Sequence, residues 1–251
     1  MNYRILNWVV ASSPPTVAEE VKSSCRQSSG VDPRAAVDSA YQRIGPDFDR
    51  QRSTPWAFVV EWLEEHAGKD AASADLLVAG CGHGRHVRVA MKLGYEVTGI
   101  DANQRMISAA EQACLYVSGP TPRLLVADVC DIPFQDASFD AVICIAVLHH
   151  LPFDLCRTAM VELVRVLRGG GEMLVSCWDP SAPSVAKGEP DAEDDDVRWV
   201  PWSLPDGERI MRYYHLPSLE RRMQDWSTLS GIEELSVGLL DQNQVMTFRA
   251  E

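Results

Sequence analysis

The feature that most constrains this chain is a short apolar strand that runs directly into a turn of three glycines. Residues 76–79 are Leu-Leu-Val-Ala, the glycines stand at positions 80, 82 and 84, and a helical pattern begins near Arg85. Glycine is needed where the backbone turns tightly and comes close to a ligand. A strand that passes through such a turn into a helix builds a ligand site at the carboxyl end of a parallel sheet. Because any tight strand-to-helix turn favours glycine, the glycines alone do not distinguish a ligand site from an ordinary turn. The sequence downstream is needed to decide between the two.

Downstream of the glycines, apolar strands alternate with amphipathic helices. We predict strands at 75–80, 95–101, 123–127, 139–146 and 172–178, with helices at 84–93, 104–117 and 154–168. Two further strands, at 232–239 and 244–249, could form the terminal pair of the same sheet. Strand–helix alternation with nearly continuous apolar strands predicts a parallel sheet covered on both faces. The predicted fold class is therefore α/β, a Rossmann-like, seven-stranded, mostly parallel sheet with helices on both faces.

The flanking segments suggest how the chain is divided. Residues 1–31 show no clear period and are expected to be a disordered or weakly packed leader. Asp32 and Pro33 form a helix start, and Gly45-Pro46 is expected to end that helix. Residues 32–251 are predicted to form a single domain, interrupted at about 179–215 by an acidic and aromatic insertion. Its acidic run at 189–196 is interpreted as a solvated loop.

Composition excludes several classes of protein. The net charge of −13 argues against a non-specific nucleic-acid binder. The seven cysteines include no Cys-x-x-Cys pair, which favours a reducing compartment and no metal site. No run approaches the roughly 20 apolar residues of a membrane span, so we expect no membrane partner. The expected location is the cytoplasm, with the nucleus as a second one.

Two acidic residues lie where a nucleoside ligand would meet them. Asp101 ends the second strand, where an acid can accept hydrogen bonds from ribose hydroxyls. Asp128 follows the third strand, where an acid can accept from an adenine amino group. A ligand that crossed the strand ends would meet the glycines, Asp101 and Asp128 in that order.

These residues resemble the class I methyltransferases that use S-adenosylmethionine. The motifs lie at 78–84, 97–101, 127–128 and 132–134. A nicotinamide-dependent dehydrogenase is the alternative, but it would favour Gly-x-Gly-x-x-Gly. Val78 departs from the pattern, because the family often has an acidic residue there that can contact the methionine end. The resemblance implies S-adenosylmethionine as the cofactor, with these binding residues: Gly80, Cys81, Gly82, Gly84, Asp101, Ala102, Asp128, Val129 and Ala146.

A narrower resemblance extends over the flanks, at 41–49, 52–56, 145–150, 176–178, 196–202 and 212–215. These segments are similar to the eukaryotic tRNA wobble-uridine methyltransferases, which esterify the carboxylate of 5-carboxymethyluridine at anticodon position 34. The resemblance implies that the substrate is the tRNA anticodon loop. It also implies a partner, a small zinc-binding activator protein that pairs with the sheet of the methyltransferase. A methyltransferase of a small molecule (a lipid, a quinone or a carboxylate metabolite) and a non-catalytic binding module are the alternatives.

The acceptor in that reaction is a carboxylate, which is already ionised at neutral pH. The enzyme therefore has to position it rather than deprotonate it, and charge-assisted hydrogen bonds from arginine or histidine can do so. The catalytic candidates are Arg52, His149 and His150, and the substrate-binding candidates are Tyr41, Arg52 and His149. A surface ion pair for Arg52, a core position for Tyr41 and a structural role for either histidine stay open. The basic residues available to tRNA include Arg43, Arg50, Arg52, Arg85, Arg88, Lys92, Arg198, Arg212, Arg221 and Arg222.

Overall fold

The computed structural model describes residues 32–66 and 74–251, so the leader predicted at 1–31 lies outside the described residues. The helices of this part of the chain are α1 (Pro33–Gln51), α2 (Ala57–His66), α3 (Arg85–Leu93), α4 (Gln104–Cys114), α5 (Phe153–Val166) and α6 (Leu219–Trp226). Its strands are β1 (Asp75–Ala79), β2 (Glu96–Asp101), β3 (Arg123–Val126), β4 (Phe139–Ile145), β5 (Leu167–Trp178), β6 (Glu189–Pro190), β7 (Val197–Ser203), β8 (Arg209–His215), β9 (Ile232–Leu240) and β10 (Asn243–Ala250).

Seven of these strands form one sheet in the order β3-β2-β1-β4-β5-β10-β9. The first five strands are parallel, and β10 pairs antiparallel with both β5 and β9. The predicted fold class and the closing strand pair are confirmed. The strand order reverses at β1, whose neighbours are β2 and β4, and this reversal opens a crevice at the carboxyl ends of the strands.

Two apolar cores lie on the two faces of the sheet, because successive side chains of a strand point to opposite faces. Leu77 and Ala79 belong to the core that α5 covers, whereas Leu76 and Val78 belong to the core under α2, α3 and α4. The cysteines at 81, 144 and 177 are buried in these cores, where they pack as small apolar residues.

Helix α1 is longer than the sequence pattern indicated. The prediction that Gly45-Pro46 ends this helix is wrong, because α1 continues through Pro46 to Gln51. A proline inside a helix costs about 3 kcal/mol, so tertiary packing has to offset it here. Ile44 and Asp47 are buried on either side of the proline, and the indole Nε1 of Trp202 donates to Asp47 Oδ2 at 2.8 Å. These contacts hold the turn after Pro46 in the helix.

The insertion at 179–215 contains a second, antiparallel sheet of three strands, β6-β7-β8. Trp202 and Ile210 of this sheet pack against Ala40 and Ile44 of α1. The acidic run forms β6 and the turn before β7, where Asp191 accepts a hydrogen bond of 2.9 Å from the indole of Trp199. The insertion and α1 together close one side of the crevice. Across residues 32–66 and 74–251, no helix combines the length and apolarity needed to cross a bilayer.

Candidate functional site

A pocket lies in the crevice between the strand ends and is covered by α1 and the insertion. Its lining includes every predicted site residue except Gly84, which instead begins α3 as its N-cap. The pocket has two ends. One end brings together the glycine turn, Asp101 and Asp128, for which cofactor binding was predicted. The other end, here called the acceptor end, carries histidines, tyrosines and arginines.

The glycine turn requires glycine for its backbone conformation. Gly80, Gly82 and Gly84 have φ angles of +67°, +53° and +81°, in the left-handed region that other residues rarely adopt. A Cβ at Gly80 would overlap the side chain of Val147, whereas a Cβ at Gly82 would meet no atom of the described residues within 4 Å. The turn therefore places bare backbone beside open space in the pocket.

Asp101 joins the glycine turn to the start of α4. Its Oδ2 accepts from Gly82 N and its Oδ1 accepts from Asn103 N, both at 2.9 Å. Burial raises the pKa of Asp101, although these two backbone hydrogen bonds act in the opposite direction. Each carboxylate oxygen can accept a second hydrogen bond, so the side chain retains capacity for the two hydroxyls of a ribose.

Sequence reasoning missed two residues that α1 brings to this end. Arg34 forms an ion pair with Asp128 Oδ2, while Asp128 Oδ1 accepts from Cys130 N at 2.9 Å. Asp38 accepts a hydrogen bond of 2.7 Å from the side chain of Asn103. The only local signal was the position of both residues on the predicted first helix, because the contacts span 94 and 65 residues of sequence.

The residues at this end fit S-adenosylmethionine. The bare backbone at Gly82 leaves room for the methionine part, Asp101 has free lone pairs for the ribose, and Asp128 and the buried Val129 flank the adenine position. When bound, this cofactor supplies an electrophilic methyl group on a positively charged sulfur. The chain's own residues have to bind it, exclude water and present an acceptor.

The connection after β4 carries the predicted acceptor residues. Ala146 follows this strand with a φ of +59°, an unfavourable conformation for alanine. It turns the chain into a short 3-10 helix, Leu148–His150, whose residues are buried. This turn places His149 and His150 beside Tyr41 and Tyr214.

His150 is held in one orientation by two hydrogen bonds. Its Nδ1 lies 3.1 Å from the carbonyl oxygen of Tyr213, which only accepts, so Nδ1 carries the proton and donates. Its Nε2 therefore accepts from the hydroxyl of Tyr41 at 3.0 Å. Burial and the charge of Arg212 lower the pKa of His150 to about 3. The imidazole is neutral and its lone pair is occupied, which suits a positioning role better than that of a base.

His149 is fully buried, and neither ring nitrogen has a hydrogen-bond partner among the described residues. Its ring lies 4.4 Å from the ring of His150 and 4.5 Å from that of Tyr214. Burial, followed by the neighbouring His150, Arg222 and Arg212, holds the pKa of His149 well below its usual value. It is a neutral side chain with unused hydrogen-bonding capacity in the pocket wall.

Three arginines give the acceptor end a positive charge. The guanidinium of Arg52 lies 5.8 Å from the ring centroids of both Trp178 and Trp202. Arg85 lies over Trp56, and burial together with the charge of Arg52 lowers its pKa to about 10. Arg212 is buried on β8. Within the described residues, none of these three arginines forms an ion pair with an acid.

Several basic residues that were available to tRNA on sequence grounds have other partners. Arg43 pairs with Glu208, Arg50 with Asp47, and Arg221 with Asp196. Arg222 is buried, and its Nε donates to Gln244 at 2.8 Å. Arg222 is therefore not available on the surface for tRNA, which residue type alone could not reveal.

Comparisons with known proteins agree with this geometry. The family described as "Methyltransferase domain" matches residues 77–175. A protein of Encephalitozoon cuniculi whose name describes a methyltransferase is 31% identical over 210 residues, which cover 82% of this chain and 91% of that protein. Such identity over nearly the whole relative shows common family membership. The chain belongs to the class I S-adenosylmethionine-dependent methyltransferases.

Two further comparisons place this methyltransferase among its relatives. It is 32% identical over 173 residues to the tRNA (carboxymethyluridine(34)-5-O)-methyltransferase of Saccharomyces cerevisiae. That alignment covers 67% of this chain and 57% of the length of the yeast enzyme. The crystal structure of the PH0226 protein from Pyrococcus horikoshii superposes with a TM-score of 0.65 at 18% identity, covering 84% of this chain and 98% of that one. This structural match supports the fold.

Proposed function

We propose that this methyltransferase esterifies the carboxylate of 5-carboxymethyluridine at the wobble position of tRNA. The observation that carries the proposal is the chemistry of the acceptor end of the pocket. Arg52, Arg85 and Arg212 provide positive charge without an acid partner among the described residues, and both histidines are held neutral. Such a site suits an acceptor that arrives as an anion and needs no base.

Similarity to named relatives supports the same substrate. The yeast relative carries the name of an enzyme for carboxymethyluridine 34, and an enzyme of Xenopus tropicalis with the same activity in its name is 32% identical over 167 residues. The chain spans 57% of the yeast enzyme and 23% of the Xenopus protein, so the activity stays a proposal for this chain. A wobble base in an anticodon loop can be unstacked and enter a pocket.

We also propose that a small zinc-binding activator protein pairs with the free edge of β3. This strand is an outer strand of the seven-stranded sheet, and its unpaired backbone groups can accept another strand. Exposed apolar side chains lie on and beside it, with exposed fractions of 65% at Leu115, 92% at Tyr116 and 48% at Val126. A partner that continues the sheet would cover these side chains.

The test is methyl transfer from labelled S-adenosylmethionine to tRNA that bears 5-carboxymethyluridine, with and without the activator protein. The expected product is the methyl ester at the wobble uridine, identified by nucleoside analysis. Tyr116→Lys should reduce the stimulation by the activator and leave cofactor binding intact. Cofactor binding with no ester on tRNA under either condition would instead favour a small-molecule acceptor. An undiminished stimulation of the Tyr116→Lys variant would argue against the β3 edge.

A further inference from the structure

Arg212 is a buried cation in the wall of the pocket. It lies near the middle of β8 with 6% of its surface exposed, and it lines the pocket. Its guanidinium carbon is 5.0 Å from the ring centroid of Trp202 and 5.1 Å from that of Tyr214. Among residues 32–66 and 74–251, no aspartate or glutamate forms an ion pair with it.

Buried charges in proteins are normally paired with an opposite charge or fully hydrogen-bonded. The aromatic rings of Trp202 and Tyr214 compensate the charge of Arg212 in part, through cation–π contacts. The hydroxyl oxygens of Tyr41 and Tyr214 also interact with the guanidinium. The guanidinium nevertheless has five N–H donors, and its Nε has no hydrogen-bond partner in the described part of the chain. Arg212 therefore retains an N–H donor and a positive charge that a ligand can use, and both features favour an anionic ligand.

The surroundings of Arg212 keep it charged and fixed. Burial alone would lower its pKa, but the phenol oxygens of Tyr214 and Tyr41 outweigh burial and raise it. Tyr41 is itself held by His150, which is held by the backbone of Tyr213. Hydrogen bonds therefore run from the backbone of Tyr213 through His150 to Tyr41, and the hydroxyl group of Tyr41 interacts electrostatically with the guanidinium. Preorganised donors of this kind bind a ligand at low entropic cost.

We infer that Arg212 binds the carboxylate of the acceptor and makes this methyltransferase select an acid over a neutral group of the same shape. The inference rests on the proposed function and names the residue that recognises its substrate. The planar guanidinium matches a carboxylate better than a lysine ammonium does. Esterification removes the charge of the carboxylate, so the same contact favours release of the ester.

Arg52 is the alternative candidate for binding the acceptor carboxylate, since it lies over the same Trp202 ring. It is only partly buried, and it reaches the pocket from the segment that follows α1. A partly exposed cation is hydrated and its attraction is screened, so it discriminates weakly between an acid and its neutral isostere. Arg212 is desolvated and discriminates strongly.

The experiment compares two anticodon stem-loop RNAs that differ in one group. One carries 5-carboxymethyluridine at position 34, and the other carries its neutral amide, in which NH2 replaces the ionised oxygen. Affinities are measured for the full chain with its activator and with S-adenosylhomocysteine present. The wild type should bind the acid about 10-fold or more tightly than the amide, as expected for hydrogen bonds to a charged group. In Arg212→Met this ratio should fall to about twofold or less, with binding of the amide RNA retained.

Three variants sharpen the comparison. Arg209→Met removes an exposed arginine from the same strand and should keep the wild-type ratio. Arg52→Met should also keep a ratio near that of the wild type. Arg212→Lys retains a charge without the planar fork and should keep part of the preference. If Arg212→Met no longer binds S-adenosylhomocysteine, Arg212→Gln and Arg212→Lys are compared instead of that variant. Only the glutamine variant should then lose the preference for the acid RNA.

An unchanged ratio in Arg212→Met, or a loss of preference in Arg52→Met instead, would overturn the inference. Failure of the inference is distinguishable from failure of the proposed function, because ester formation by the wild type is measured separately. If the wild type makes the ester while Arg212→Met keeps the preference for the acid, the proposed function stands and the role of Arg212 is rejected. If the wild type makes no ester on the acid RNA, the proposed function and the role of Arg212 are both rejected.

Discussion

The positive φ angles of the glycine turn let β1 enter α3 beside a carboxylate. Gly82 donates its backbone N–H to Asp101 at 2.9 Å and Cys81 N donates to Ile100 O at 2.8 Å, so two hydrogen bonds hold the turn to the end of β2. At the acceptor end, the two nitrogens of His149 and the Nε of Arg212 have no hydrogen-bond partner among the residues that the structure describes. Buried polar atoms without partners are rare in proteins, and both of these residues line the pocket. We therefore expect these atoms to be available to a ligand.

Gly80→Ala should abolish binding of S-adenosylhomocysteine and lower the free energy of unfolding. The left-handed conformation costs a non-glycine residue about 1–2 kcal/mol, and overlap of the new Cβ with Val147 adds to that cost. Calorimetric titration and urea denaturation would measure the two effects. Gly238→Ala is the matched control, since a Cβ there meets no atom within 4 Å, and it should change stability by less than about 1 kcal/mol. Normal binding by Gly80→Ala would show that the turn tolerates a side chain.

At the scale of elements, α1 and the three-stranded sheet of the insertion act as one wall of the pocket. Asp47 of α1 is buried where the two meet and accepts from the indole of Trp202 and from Gln51 Nε2, at 2.8 and 2.6 Å. An exposed ion pair between Arg43 and Glu208 joins α1 to the insertion. The buried hydrogen bonds should matter more than the exposed pair, because solvent screens the latter.

Asp47→Ala should lower the free energy of unfolding by about 2–3 kcal/mol, because it leaves the buried Trp202 N–H without an acceptor. Glu208→Ala at the same junction should change it by less than about 1 kcal/mol. Denaturant titration monitored by tryptophan fluorescence would measure both variants. Equal effects of the two substitutions would contradict the view that buried hydrogen bonds dock α1.

On the scale of the whole molecule, the charge of −13 coexists with a pocket that is positive at its acceptor end. Five buried histidines are a second global feature. Burial lowers the pKa of His83 and His215 to about 4 and that of His150 to about 3, and it holds the pKa values of His86 and His149 well below the ordinary value. Each of these histidines is buried as a neutral group.

Stability should therefore fall on mild acidification. Because the folded-state pKa values are lowered, the unfolded chain binds more protons once the pH drops below about 6.5, the unfolded value. Each histidine should lower the free energy of unfolding by on the order of 1 kcal/mol between pH 7.5 and 5.5. Urea denaturation across this range would measure the loss, and His215→Asn should reduce its slope. A free energy of unfolding that stays constant from pH 7.5 to 5.5 would contradict the prediction.

The central sheet, the glycine turn and the positions of Asp101 and Asp128 could all be predicted from the sequence. Hydrophobic periodicity and turn chemistry are local properties, and parallel strands end at the same edge of a sheet. The way in which α1 and the insertion cover the pocket, in contrast, could not be predicted from the sequence. The contacts of Arg34 with Asp128, Tyr41 with His150 and Asp47 with Trp202 span 94, 109 and 155 residues. Such contacts depend on how one element packs on another, so no local pattern distinguishes a buried pocket arginine such as Arg212 from a surface one.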